Sequence, residues 1–338
     1  YILYPDNRAL ERAIASSLGM LSEELVEAAT PDTQVTTADN FLHTRGNYEQ
    51  RSFSTNIFES MREVLEAALT DEYRAQDAAN WALKQNSLGN ILAGLGQLQR
   101  DEASYEKAIQ CFNNALEEFS QEESPLEWAA TQYNLGTASQ ALGRLRDDTK
   151  ALKKAVDAYT KALLVWTRDE SPEDWMLTMH QLGATFHAYG KLLKGNRTFQ
   201  KSVIAYKNAL AVLDADNYPL ELTATHNNRA VVLHHLAESE ENPERLIEAI
   251  KSYEKALTVC MEQQRPFHLA VIIRVNKATA QNVLAEITND AVLAEEVADE
   301  FELILECFAT ALQPLCLKHC DEQMSKAKSL ALPNSASG

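Results

Sequence analysis

Apolar positions along this 338-residue chain recur at helical spacing, in long segments separated by short polar breaks. Val156, Tyr159, Ala162, Leu163 and Trp166 stand at the steps of three and four that make one face of a helix. Leu135, Ala138, Leu142 and Leu145 do the same in the preceding segment, and the polar stretch 143–150 divides the two. Ser124-Pro125, Ser171-Pro172, Pro219 and Pro266 precede each such pair. Proline suits the first position of a helix because its missing N–H would have no intrahelical partner there. Glu127, Glu173, Asp174 and Glu221 then fall in the first turn, at the positive end of the helix dipole. The pattern predicts a series of helical hairpins.

The hairpins repeat. Trp81, Trp128 and Trp175 are 47 residues apart, and the same step reaches Leu222 and Leu269. It aligns Phe112, Tyr159, Tyr206 and Tyr253, and likewise Ala115, Ala162, Ala209 and Ala256. Gly89, Gly136, Gly183 and Ala230 share a column inside the first helix, where glycine costs about 1 kcal/mol relative to alanine. Small residues at one register predict a close crossing of the second helix. One step further, Val297, Glu300, Leu303 and Ile304 give a degenerate match. A fixed period of this size marks a stacked repeat protein. The Trp column gives way to Leu222 and Leu269, so it asks for apolar volume at a helix start.

The run Leu135-Gly136, Ala155, Tyr159, Ala162 and Pro172 resembles the tetratricopeptide repeat (TPR) family, in a variant with units longer than that family's roughly 34 residues. The resemblance covers residues 53–310. It implies an all-α fold, a right-handed α-solenoid of stacked helical hairpins, and a protein-interaction role rather than an enzymatic one. The expected organisation is an N-terminal helix over 1–30, a polar loop over 31–52 and a repeat array over 53–288. Capping helices over 289–330 and a disordered tail over 331–338 follow. The capping segment is apolar for a solenoid end, so it either closes the core or leaves a face for self-association.

In a stacked array the first helices line the inner face. Columns offset from the core register predict a groove for a partner peptide or protein segment. Its residues are Asn86, Tyr133, His180, Asn227 and Arg274, then Asn90 and Thr137, then Gln140, His187 and His234. These polar, mostly uncharged side chains suit hydrogen bonds to an extended backbone. Five of the eight histidines (His180, His187, His226, His234 and His235) crowd two adjacent units; the plain reading is ordinary polar groove residues, and the sharper one is pH-sensitive binding.

Composition narrows the partner. Forty-nine Asp and Glu against 31 Lys and Arg give a net charge of −18. That argues against nucleic acid and against an anionic membrane surface, and it suits a basic partner. No run is apolar enough to span a membrane. Five scattered cysteines fit reduced thiols in the cytoplasm. Cys316, His319 and Cys320 lack the fourth ligand and paired spacing of a closed zinc site, and neither a metal nor a cofactor is expected. No nucleotide loop, nucleophile elbow or His-Glu-x-x-His motif occurs. The expected function is an adaptor or scaffold. The alternatives are a regulatory or sensor region of a larger signalling or protease system, of the kind found in bacterial proteins, and an enzyme with a site in the histidine-rich units. The start at Tyr1 without Met favours the regulatory region over the free-standing adaptor.

Overall fold

A computed structural model describes residues 48–262, 267–309, 312 and 314–332. The expected N-terminal helix, most of the polar loop, the first residues of the Pro266 helix start and the last residues of the chain lie outside these. Among the described residues every regular element is helical. In chain order they are α1 (Tyr48–Ala68), α2 (Asp71–Gln76), α3 (Ala78–Gln99), α4 (Glu102–Ala115), α5 (Pro125–Leu145), α6 (Thr149–Ala162) and α7 (Pro172–Leu193). Then follow α8 (Asn196–Leu210), α9 (Pro219–Glu240), α10 (Pro243–Glu262), α11 (Phe267–Thr288), α12 (Ala291–Phe308) and α13 (Pro314–Ala331). Helix α1 already begins at Tyr48, inside the segment expected as loop. The chain divides into two compact units, one ending at Leu193 and one beginning at Lys194.

In the N-terminal unit the hairpins are α3/α4 and α5/α6, with α1 packed ahead of them and α7 behind. Phe58, Met61 and Leu65 of α1 fill the first core with Leu88, Ile91, Leu92 and Leu95 of α3. Within each hairpin an aromatic ring packs against a glycine. A Cβ placed on Gly89 would stand 2.5 Å from the Phe112 ring, and one on Gly136 would stand 2.7 Å from the Tyr159 ring. Both rings are fully buried. The small column therefore exists to let the second helix approach. Trp81 is buried against Ala82, Ala115 and Phe119, with Trp128 packed beside it, as a residue of the core.

The C-terminal unit holds α8, the hairpins α9/α10 and α11/α12, and α13. Ala230 and Tyr253, both buried, share a core with Leu246, Ala249 and Ile273. Helices α12 and α13 close the end: Phe301, Ile304, Cys316 and Cys320 are buried together with Val271, Val275 and Ala278 of α11.

The helix junctions repeat as faithfully as the cores. Arg100, Asp147, Lys194 and Glu241 all adopt the left-handed conformation, at successive intervals of 47 residues. Each closes a first helix without the glycine usual at that position. The next residue of Arg100 and of Asp147 is an aspartate that caps the following helix: Asp101 accepts from the Ala103 and Ser104 N–H groups, and Asp148 from Lys150. Asn242 does the same for Glu244. The fifth left-handed residue is Asn289, after 48 residues, and Asp290 caps Leu293. The ruler therefore slips by one residue in the last hairpin. The aromatic place of Tyr253 passes to Phe301, which is fully buried, and not to Glu300, which the unbroken period selects. This corrects the degenerate alignment: Val297, Phe301 and Ile304 continue the buried column of Ala249, Tyr253 and Ala256.

The close ring-on-glycine contact makes Gly136 intolerant of a side chain. Gly136→Ala should lower the stability of the N-terminal unit by about 1–3 kcal/mol, the usual cost of overpacking, in a chemical denaturation series. Ala230→Gly in the C-terminal unit, where the column already accommodates a methyl group, should cost about 1 kcal/mol, the ordinary helix-propensity difference.

Candidate functional site

Within each unit the first helices are buried over much of their perimeter, because packed helices flank them. Many of their polar residues are consequently internal. Thr131, Thr178 and Thr225 are fully buried, and each donates its hydroxyl to the carbonyl one turn back, of Glu127, Asp174 and Glu221, at 2.7, 2.6 and 2.6 Å. Longer side chains reach across to the next first helix. Asn134 Nδ2 of α5 donates to Asn86 Oδ1 of α3 at 3.0 Å. Gln140 Nε2 donates to Thr185 Oγ1 and to the Gln181 carbonyl of α7, at 2.8 and 3.2 Å. In the C-terminal unit Asn276 Nδ2 of α11 donates to Asn227 Oδ1 of α9 at 2.9 Å. This is the Asn134–Asn86 bond again, one residue later because of the slip. Asn282 Nδ2 of α11 reaches Gln323 Oε1 of α13 at 2.8 Å. A buried amide costs free energy unless it is paired, so each rung holds two hairpins in one register.

Most of the residues expected in an open groove belong to this internal seam. Tyr133 is 1 % exposed and packs its ring on Tyr159 and Trp166, at centroid distances of 5.5 and 5.7 Å. Thr137 is half-buried and accepts the Tyr159 hydroxyl at 3.2 Å. Asn90, Gln140, His180 and His187 are buried, Asn227 is fully so, and Asn86 is half-buried. The difference has a simple cause. Periodicity separates apolar from polar faces, but a helix flanked by packed neighbours has scarcely any solvated face to which polar residues can be assigned. Arg274 is displaced for the second reason, the slip. The counterpart of Asn227 in α11 is Val275, and Arg274 instead forms a two-pronged ion pair with Glu300, Nε to Oε1 at 2.7 Å and Nη2 to Oε2 at 2.9 Å.

His234 lines a cavity. Within the C-terminal unit, α9, α11 and α13 enclose a cleft of about 360 Å³, with Val231 and Val283 among its walls. Its polar groups are His234 and His235 from α9, Asn276 and Thr279 from α11, and His319 and Gln323 from α13. His319 Nε2 and Thr279 Oγ1 share a hydrogen bond at 2.9 Å. Glu238 lies 3.7 Å from His234 Nε2 and 3.6 Å from His235 Nδ1. Lys326 at the edge is paired with Glu286 at 2.7 Å. His234 Nε2 is buried without a hydrogen-bond partner among the described residues. Burial pushes the His234 imidazole down to about 4 against the opposing pull of Glu238, and burial likewise pushes His226 down to about 4. His319 is also lowered by burial. The His235 imidazole holds the Glu238 carboxyl below its usual range. At neutral pH His234 and His319 thus add uncharged imidazoles to the amides of the cleft, groups that both donate and accept.

Asn276, Thr279 and Gln323 escaped the sequence reading. A one-residue shift of the ruler after Tyr253 finds the first, since it aligns Asn276 with Asn134, Gln181 and Asn228. Helix α13 lies beyond the period, and nothing in the repeat indicates that it supplies a wall. The Cys316, His319 and Cys320 trio is split: both thiols are buried in the end core while the imidazole turns to the cleft. Among the described residues no group of His, Cys, Asp and Glu is placed to hold a metal ion, and no helix is long and apolar enough to cross a membrane.

No family model and no curated protein matches the chain. Solved structures do. BtubC (BKLC) from P. vanneervenii is 15 % identical, with 83 % of this chain and 96 % of that chain covered and a TM-score of 0.46. The C-terminal part of a TPR repeat-containing protein from Cytophaga hutchinsonii is 13 % identical, covering 81 % and 99 %, with a TM-score of 0.33. The TPR2AB domain of yeast Sti1, in its pHSP90 complex, is 18 % identical, covering 80 % and 99 %, with a TM-score of 0.27. The described helices pack hairpin by hairpin within each unit, and in the N-terminal unit an aromatic ring is seated on a glycine.

The lowered histidines set a pH dependence. An unfolded chain binds protons at these imidazoles near pH 6.5, whereas the folded unit does so only near pH 4. Stability is therefore complete above pH 6.5 and falls as the pH drops from there towards 4. Denaturation midpoints measured across that window should decline steeply for the native chain and more gently for His226→Gln/His234→Gln. Equal slopes would reject the assignment.

Proposed function

We propose that the protein is an interaction scaffold that holds an extended polypeptide segment in the cleft between α9, α11 and α13. The observation that carries this reading is the cleft's chemistry. Imidazole, amide and hydroxyl groups from three adjacent helices share the cleft with Glu238, Lys326 and a partly apolar wall. An extended backbone presents donors and acceptors in alternation, and side chains that can act as either satisfy it without a fixed charge pattern. His234, nine-tenths buried, belongs to the same wall, and its Nε2 has no hydrogen-bond partner among the described residues. Catalysis is less well served. Glu238 stands 3.7 Å from His234 Nε2, outside hydrogen-bonding distance, and His234 is held neutral far from the range of a general base near pH 7.

Selection of a random peptide library on the intact chain tests the reading. It should return extended sequences whose affinity falls about tenfold, about 1.4 kcal/mol, on His235→Ala/Gln323→Ala. Both positions lie on the cleft wall; Gln323→Ala leaves Asn282 Nδ2 only the Gln323 carbonyl, so the thermal melt should fall by about 2–4 °C and affinity is compared well below it. Ligands that bind the variant as well as the native chain would overturn the proposal.

A further inference from the structure

The slip in hairpin α11/α12 leaves a second cavity in the C-terminal unit. On the unbroken period Glu296, Glu300 and Lys277 would stand where the previous hairpin has Ala249, Tyr253 and Ala230, all buried. The one-residue shift gives those inward places to Val297, Phe301 and Ala278, all buried. It turns the three charged residues towards a space of about 600 Å³ between α10, α11 and α12. That volume is within the range of ligand sites. Leu257, Cys260 and Val271 give the cavity apolar walls, and Phe308 stands 5.5 Å from the Arg274 guanidinium. It uses different residues of α11 from the histidine cleft.

The charges of this cavity do not balance once their pairs are removed. Arg274 is committed to Glu300 through two hydrogen bonds. Lys277 lies 3.5 Å from Glu254. Glu296 is exposed at the rim and has no counterion among the described residues. Both cations are thus neutralised locally, and an anionic rim remains above apolar walls, in a chain whose net charge is −18. We propose that this cavity receives a partner polypeptide at a point where a basic side chain adjoins an aliphatic or aromatic one, the apolar group entering between α10 and α11 and the cation meeting Glu296. The proposal rests on the reading of the protein as an interaction scaffold and assigns that scaffold a second contact, with the sign of its partner's charge.

The probe is a blocked peptide with alternating leucine and arginine in a Gly-Ser frame, compared with its leucine–glutamate counterpart, both titrated against the intact chain by fluorescence anisotropy. The leucine–arginine peptide should bind and the acidic one should not. Glu296→Lys should weaken binding about tenfold or more. Glu295→Lys, an equal change of net charge at an exposed neighbour outside the cavity wall, should weaken it less than about twofold. Equal losses in the two variants would show bulk attraction to an acidic protein and overturn the proposal. So would undiminished binding by Glu296→Lys, or failure of the basic peptide to bind the native chain. His235→Ala/Gln323→Ala should bind this probe normally. The two readings therefore fail separately, the scaffold cleft by its own library selection and the second contact by this titration.

Discussion

A buried amide that must find its partner on the next hairpin sets the geometry of this protein. Asn134 reaches back to Asn86 in one unit, and Asn276 reaches back to Asn227 in the other. The apolar contacts around these rungs would tolerate a small slide of one hairpin on the next, because dispersion is not directional. A paired amide in a dry seam does not tolerate it, since a slide of even part of a turn leaves donor and acceptor both desolvated and both unmatched. The Thr131, Thr178 and Thr225 hydroxyls, turned back on their own helices, do not compete for those partners.

The glycine column and the amide rungs do different work. Gly89 under Phe112 and Gly136 under Tyr159 fix how closely the two helices of one hairpin approach. The rungs fix how one hairpin sits against the next. A residue added between hairpins disturbs neither if both are carried along with it, and hairpin α11/α12 shows this. Its rung, its aromatic and its capping aspartate have all moved by one place together, and only the residues left behind, Arg274, Lys277, Glu296 and Glu300, have changed their surroundings.

The fold was legible in the sequence wherever side-chain volume recurs. The Trp column, the aromatic column and the small column gave the hairpins, their order and the helix that approaches most closely. The groove was not legible, for two physical reasons. Hydrophobic periodicity assumes that polar side chains face water, and Tyr133, Gln140 and Asn227 are polar or amphipathic residues satisfied inside the seam. A fixed ruler also has no means of registering one inserted residue, so it named Arg274 where Val275 stands in the repeat. His234 precedes the slip, so its column is undisturbed. The cleft's residues on α13 were not legible, because that helix has no counterpart earlier in the chain.

The tryptophans have a further use. All four, Trp81, Trp128, Trp166 and Trp175, lie before Leu193, while the unit that follows has the tyrosines Tyr206, Tyr218 and Tyr253 and no indole. Intrinsic indole emission is therefore a private signal of the N-terminal unit, and tyrosine and far-ultraviolet signals report on both. Divergence of those curves on heating or in denaturant would reveal separate melting of the two halves without any label, and coincidence would reveal a single cooperative transition.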